Sequence, residues 1–246
     1  MIVAIVQARM GSTRLPGKVL KEVEGRPLLS YQIERMQRSS LLDRLVIATS
    51  TLPQDDAIFG FCQGEGVECF RGSENDVLSR YYDCAVKYKA ETIVRITGDC
   101  PLIDPDIIDH SIEAFRSSSC DYMVNTVPVE TSHFPDGSDV EVFSFAALER
   151  AYRECEGSHY REHVTFYFWR EDNGFKVGQL QQREDWSGYR LTVDYPEDLE
   201  VVKYVLTELQ KHSQRGTLAE IVSILVRNKE VRQLNANHFL GEGWSK

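Results

Sequence analysis

Gln7-Ala8-Arg9-Met10-Gly11-Ser12-Thr13-Arg14-Leu15-Pro16-Gly17-Lys18 is the stretch that decides the fold. The apolar run Ile2 to Val6 before it has the length and composition of a buried strand. After it, Leu28, Leu29, Ile33 and Met36 recur at helix-face spacing across Pro27 to Gln37. The stretch is therefore a long strand-to-helix loop. It carries three cations, Arg9, Arg14 and Lys18, in a chain whose formal net charge is −10. Such a cluster suits a polyanion, a triphosphate above all. Gly11 and Gly17 let the backbone come close and turn its amides toward phosphate oxygens.

Two familiar phosphate motifs do not fit. A P-loop needs four residues between its first glycine and the Gly-Lys pair, then Ser or Thr. Here five residues separate Gly11 from Gly17, and Val19 stands where the metal-binding hydroxyl belongs. The GxGxxG dinucleotide fingerprint is absent.

Outward from this loop, strand-like and helical runs alternate, the pattern of βαβ units on a mainly parallel sheet. Strands are expected at Arg44 to Thr49, Val67 to Phe70, Thr92 to Thr97 and Tyr122 to Asn125. Helices are expected at Asp55 to Phe61, Asp76 to Tyr88 and Pro105 to Ser117, the last started by Pro105 after Asp104. From about Thr126 to Gly188 the rhythm breaks. Helices at Phe143 to Glu156 and His159 to Arg170 and a strand at Phe175 to Leu180 read as an insertion over the substrate end of the sheet, with a subunit contact. The core resumes with a strand at Tyr189 to Val193 and helices at Glu197 to Leu209 and Thr217 to Arg227. The 246 residues thus make one α/β domain with an insertion at about 126–188 and a helical C-terminal extension at about 210–246, its tail through Trp244 docking on a neighbour.

Composition narrows the function. No stretch reaches the apolar length of a membrane span, and no signal-peptide pattern opens the chain. The acidic balance argues against a nucleic-acid partner. Six scattered cysteines with no CxxC pair read as reduced thiols, which places the chain in the cytoplasm.

Two acidic segments complement the loop. Thr97-Gly98-Asp99-Cys100-Pro101 follows a strand, and ligands of open α/β sheets bind beyond the carboxyl ends of strands. Gly98 removes a side chain that would block close approach. Asp194, in Thr192-Val193-Asp194-Tyr195-Pro196-Glu197-Asp198-Leu199, also ends a strand, although an Asp before a helix is often only a cap. Glu197 and Asp198 read as first-turn residues. Two carboxylates facing a triphosphate call for Mg²⁺, a hard ion that takes one or two carboxylates together with substrate phosphates and water.

Ala8-Arg9-Met10-Gly11-Ser12-Thr13-Arg14-Leu15-Pro16-Gly17-Lys18 resembles the signature of the sugar-acid cytidylyltransferases, which include the CMP-KDO and CMP-sialic acid synthetases. Within that group it is most similar to the spore-coat-polysaccharide type. The resemblance spans about residues 1–209. It implies a three-layer Rossmann-like nucleotide-diphospho-sugar transferase fold, usually a homodimer, in which the loop holds CTP. Arg14 and Lys18 would grip the triphosphate, with Ala8, Arg9, Gly11 and Ser12 along the nucleotide. Thr49, Gly98 and Ser73 would add nucleotide contacts. Ser73 lies in Arg71-Gly72-Ser73-Glu74-Asn75-Asp76, where a plain helix cap is the other reading. Asp99 and Asp194 would hold the metal, with Arg14, Lys18 and Asp99 carrying the chemistry. Asn125, Arg161, Glu162, His163 and Arg190 would meet the acceptor. The chain departs from the CMP-KDO pattern at Thr97, where those enzymes carry Gln, and at Ser50, where they carry Asp.

His159-Tyr160-Arg161-Glu162-His163 also matches H-x-x-E-H, an inverted zinc-peptidase pattern that puts both histidines on one helix face. A zinc hydrolase is therefore one alternative. A nucleotidyltransferase using another base or a phosphorylated acceptor is a second, and a noncatalytic nucleotide-binding protein is a third. The expectation carried forward is Mg²⁺-dependent transfer of CMP from CTP to a 2-keto sugar acid in surface polysaccharide synthesis, with pyrophosphate released.

Overall fold

The computed structural model describes residues 1–240 and 242. Its nine strands are β1 (Ile2–Gln7), β2 (Glu22–Val23), β3 (Arg26–Pro27), β4 (Arg44–Ser50), β5 (Glu68–Gly72), β6 (Thr92–Thr97), β7 (Tyr122–Val124), β8 (Glu141–Ser144) and β9 (Val177–Gln179). The helices are α1 (Leu28–Met36), α2 (Asp56–Glu65), α3 (Val77–Lys87), α4 (Pro105–Ser117), α5 (Phe145–Glu154), α6 (Ser158–His163), α7 (Pro196–Lys211), α8 (Leu218–Arg227) and α9 (Lys229–Gln233). Seven strands form one sheet in the order β5-β4-β1-β6-β8-β7-β9, and β2 and β3 make a separate small ribbon. β5, β4, β1 and β6 are parallel, and β8 runs antiparallel to both β6 and β7.

The alternation of side chains along β1 sorts the core into two layers. Ile2, Ala4 and Val6 face α1, α2, α4, α7 and α8 through Leu29, Ile58, Ile108, Val202 and Ile221. Val3 and Ile5 face α3 and α5 through Leu78, Tyr81, Leu148 and Ala151. The sheet lies between helical layers on both faces, the α/β three-layer arrangement expected. All six cysteines are free thiols. Among the described residues no helix is long and apolar enough to cross a membrane.

Four local expectations are corrected. Phe143 to Glu156 is not one helix: its start is β8, which fills the place between β6 and β7, and α5 begins only after the Ser144 hydroxyl accepts the Ala147 amide at 3.0 Å. The helix at His159 stops at His163 because Val164 turns to φ 56°, a conformation a β-branched residue rarely adopts, and a short 3₁₀ turn follows. Tyr189 to Val193 is extended but lies outside the sheet: Leu191 donates to Asp136 O at 2.7 Å and Val193 to Asp99 O at 2.9 Å, so its bonds go to loops. After α8 the chain makes one more helix, α9, that periodicity did not reveal. Trp244 lies outside the described residues.

Candidate active site

Because β1 and β6 are adjacent and parallel, the loops leaving their carboxyl ends start side by side. The Gly98 amide donates to Gln7 O at 2.8 Å. A Cβ on Gly98 would lie 2.9 Å from Gln7 O and 3.0 Å from the Ala8 Cβ, so the glycine is required by the neighbouring loop. The cationic loop folds over its own start. The Met10 carbonyl accepts from Ser12 and Gly17, and the Met10 amide donates to the buried Asp55 carboxylate at 2.7 Å. Gly17 takes φ 66°, and Leu15 and Val19 plug the core beneath. The loop is thereby fixed with Arg14 and Lys18 turned into the cleft.

The centre of that cleft is an ion cluster. Lys18 Nζ lies 2.6 Å from Asp99 Oδ2 and 2.5 Å from Asp194 Oδ1, and Arg14 reaches Asp194 Oδ2 at 2.8 Å. Burial works against the Lys18 ammonium, but the two carboxylates outweigh it and hold its pKa above the ordinary value. Burial likewise opposes the charged form of Asp99, and Lys18 overrides it, bringing the carboxyl down to about 2. Asp194 is set from behind. Arg190 contacts Asp194 at 3.4 Å, Asp198 at 2.9 Å, and Asp136. The fully buried Asp198 accepts the amides of Asp194 and Tyr195, each at 2.9 Å.

These groups open on a cavity of about 610 Å³, a size that takes a nucleotide or a comparable ligand. Ala8, Arg9, Gly11, Ser12, Arg14, Lys18, Gly98, Asp99, Asp194, Glu162, His163 and Arg190 all line it. Four expected site residues do not. Thr49 is buried at the end of β4, its hydroxyl without a hydrogen-bond partner. The Ser73 hydroxyl accepts the Asp76 amide at 3.1 Å, the local turn that precedes α3. Asn125 is fully buried, donating to Ser138 O at 2.7 Å and accepting from the Val140 amide at 2.8 Å, so it ties a loop. Arg161 turns away to Asp76 at 2.8 Å and to the carbonyls of Tyr152 and Cys155 at 3.3 Å.

The cavity is also lined by residues that sequence reading missed. Arg95 on β6 pairs with Glu141, its register partner on β8. Glu141 also accepts from Tyr122 at 2.6 Å and Thr165 at 2.8 Å, and Arg95 donates to the Gln7 side chain at 3.1 Å. Arg95 Nε is buried without a hydrogen bond. Asp136, Asp139 and Trp169 line the cavity as well. Burial pushes the carboxyl groups of Asp136 and Asp139 above the usual range. Burial and the nearby His159 lower the pKa of His163, whose ring stacks on Phe166 at 4.4 Å. A partial signal was present: Asp139 and Glu141 stand two positions apart, at strand spacing, just before the apolar Val142 and Phe143.

His159 and His163 bring their rings to 4.7 Å, yet among the described residues no three His, Cys, Asp or Glu side chains cluster to hold an ion. That does not fit a zinc-peptidase centre. Asp99 and Asp194, bridged by one cation, fit an ion that draws its other ligands from substrate phosphates.

A cytidylyltransferase family model matches residues 3–233, nearly the whole chain.

The chain belongs to the cytidylyltransferase family.

As in that family, it is a nucleotidyltransferase. It is 34% identical over 240 residues to the spore coat polysaccharide biosynthesis protein SpsF of Bacillus subtilis, covering 93% of this chain and 95% of that one. It is 29% identical over 235 residues to the 3-deoxy-manno-octulosonate cytidylyltransferase of Aeromonas salmonicida, covering 82% and 86%. The solved cytidylyltransferase of Leptospira borgpetersenii serovar Hardjo-bovis superposes with a TM-score of 0.86 at 31% identity, covering 94% of this chain and 96% of that one. Lys18, Asp99 and Asp194 meet at the centre of the cleft described above.

Proposed function

We propose that this cytidylyltransferase transfers CMP from CTP to a 2-keto sugar acid, with Mg²⁺ and with release of pyrophosphate, in surface polysaccharide synthesis. The observation that carries the reading is the convergence of Lys18 and Arg14 with Asp99 and Asp194 in one cavity. Ala8, Arg9, Gly11, Ser12 and Gly98 lie along the nucleotide. Arg14 and Lys18 take the triphosphate, exchanging their present carboxylate partners for phosphate oxygens. Asp99 and Asp194 would hold Mg²⁺, which supplies charge neutralisation at the α-phosphate and at the departing pyrophosphate. Asp99, which Lys18 holds below the usual carboxylate range, keeps its negative charge, which suits it to a cation.

The acceptor hydroxyl attacks the α-phosphorus in line, and the bond to the bridging oxygen of pyrophosphate breaks. Positioning and charge stabilisation account for most of the rate in such transfers, so no strong base is needed. Arg95, with a donor left over inside the cavity wall, is a cation that would meet an acceptor carboxylate, and Arg190 would do so by exchanging one of its present carboxylate partners. Glu162 and His163 line the same cavity. The similarity to a 3-deoxy-manno-octulosonate cytidylyltransferase supports a sugar acid over other acceptors. The setting is the cytoplasm and the working form a homodimer.

Incubation with CTP, Mg²⁺ and a panel of 2-keto sugar acids, with phosphorylated sugars alongside, tests the reading. Pyrophosphate release matched by a CMP-linked sugar acid is expected. Turnover of phosphorylated sugars alone would replace the sugar acid with that class of acceptor.

A further inference from the structure

The last described residues, after α9, make polar contacts where a packing tail would make apolar ones. The family match ends at residue 233. Just beyond it, Asn235 is 3% exposed and its side-chain amide donates to Asp198 Oδ1 at 2.9 Å and to Arg190 O at 3.1 Å. Asp198 is the carboxylate that receives the backbone amides of Asp194 and Tyr195. Three residues later the His238 ring stacks on Tyr195, with centroids 3.9 Å apart and planes 6° from parallel. Tyr195 in turn lies 5.1 Å from the Arg14 guanidinium carbon. Phe239 and Leu240 then line the cavity itself, and Phe239 stays 66% exposed. A segment serving only to cover the core would bury Phe239 and leave its polar groups in water. This one does the reverse.

We infer that Asn235–Leu240 is a working part of the site, in which Asn235 and His238 are positioning residues: Asn235 holds Asp194 through Asp198, and His238 holds Arg14 through Tyr195. The inference rests on the function proposed above. Residues that orient a metal ligand from behind typically change metal affinity by about 10- to 100-fold when removed.

The test uses full-length protein and Mn²⁺ as the probe, its binding read by electron paramagnetic resonance with saturating CTP. Asn235→Ala is expected to weaken Mn²⁺ binding by about tenfold or more. His238→Ala is expected to weaken binding of CTP·Mn²⁺, and His238→Phe, which keeps the stacked ring, to restore it. Leu234→Ser, an exposed neighbour outside these contacts, serves as the control and should match wild type. If Asn235→Ala does not fold, the His238 pair decides alone. Unchanged affinity in both alanine variants overturns the inference while leaving the function standing. Wild-type protein that takes up no Mn²⁺ with CTP would overturn the proposed function, and this inference with it.

Discussion

Lys18 Nζ lies 2.6 Å from Asp99 Oδ2, although 81 positions separate the two residues. The contact follows from topology. Lys18 closes the loop leaving β1, Asp99 opens the loop leaving β6, and those strands are hydrogen-bonded neighbours. The remote Asp194 joins them because Val193 donates its amide to the Asp99 carbonyl. Charges that, in the proposed reaction, would meet the nucleotide are thus paired with one another beforehand, which keeps a cleft with several ions in a single arrangement.

Replacing Lys18 with Met should lower kcat/KM by about 10²–10³, the usual cost of removing one preorganised electrostatic contact in a transition state. The same variant should bind Mn²⁺ more tightly than wild type when no nucleotide is present, because the ammonium no longer sits between Asp99 and Asp194. Steady-state kinetics and Mn²⁺ titration of nucleotide-free protein check the two halves.

The Lys18–Asp99 pair also gives stability a defined pH window. Asp99 is held at about 2, below its ordinary value. Its contribution is fully present above about pH 4 and is lost as pH falls toward 2. Lys18 is raised, so its contribution is present below about pH 10 and is lost as pH rises beyond its folded value. Thermal melts of wild type and Asp99→Asn should therefore differ most between these limits and converge in acid.

Gly98→Ala should loosen the site from within. The new methyl would press on Gln7 O and the Ala8 Cβ, pushing the β1 and β6 loops apart. A destabilisation of about 1–3 kcal/mol is expected from such overpacking, with kcat falling further than stability accounts for. Chemical denaturation and kinetics on the same preparation separate the two effects.

Arg161 gives a contrasting case. Its guanidinium ties α6 to Asp76 and to two carbonyls near the end of α5, outside the cavity. Arg161→Ala should cost about 1–2 kcal/mol of stability, in line with hydrogen bonds to a charged group beside partial solvent, and leave KM for CTP within about twofold. A large rise in any substrate KM at unchanged stability would return Arg161 to the binding surface.

How much of this was legible in the sequence varied with the range of the forces involved. Thr92–Thr97 and the Pro105 start of the next helix were readable to the residue, since a β-branched apolar run and an Asp-Pro start fix them locally. That the loop cations and Asp99 come together was readable because both segments follow adjacent strands; Asp194 arrives by another route, since Tyr189 to Val193 lies outside the sheet and is tied in by the Val193 amide on the Asp99 carbonyl. β8 was not readable: Glu141-Val142-Phe143-Ser144 runs straight into a helical pattern, and only pairing with β6 and β7 makes it a strand. The Arg95–Glu141 pair depends on that pairing and was hidden with it. Asn235 was hidden more deeply, because its partners Arg190 and Asp198 lie 45 and 37 positions away and no local pattern announces them.

The central claim, that Asp99 and Asp194 join with Lys18 on one metal-bound nucleotide, is tested most directly by CTP titration calorimetry with and without Mg²⁺. Wild type should bind CTP at least about tenfold more tightly with the ion, and Asp99→Asn and Asp194→Asn should lose that gain. The same Mg²⁺ effect in all three proteins would contradict it.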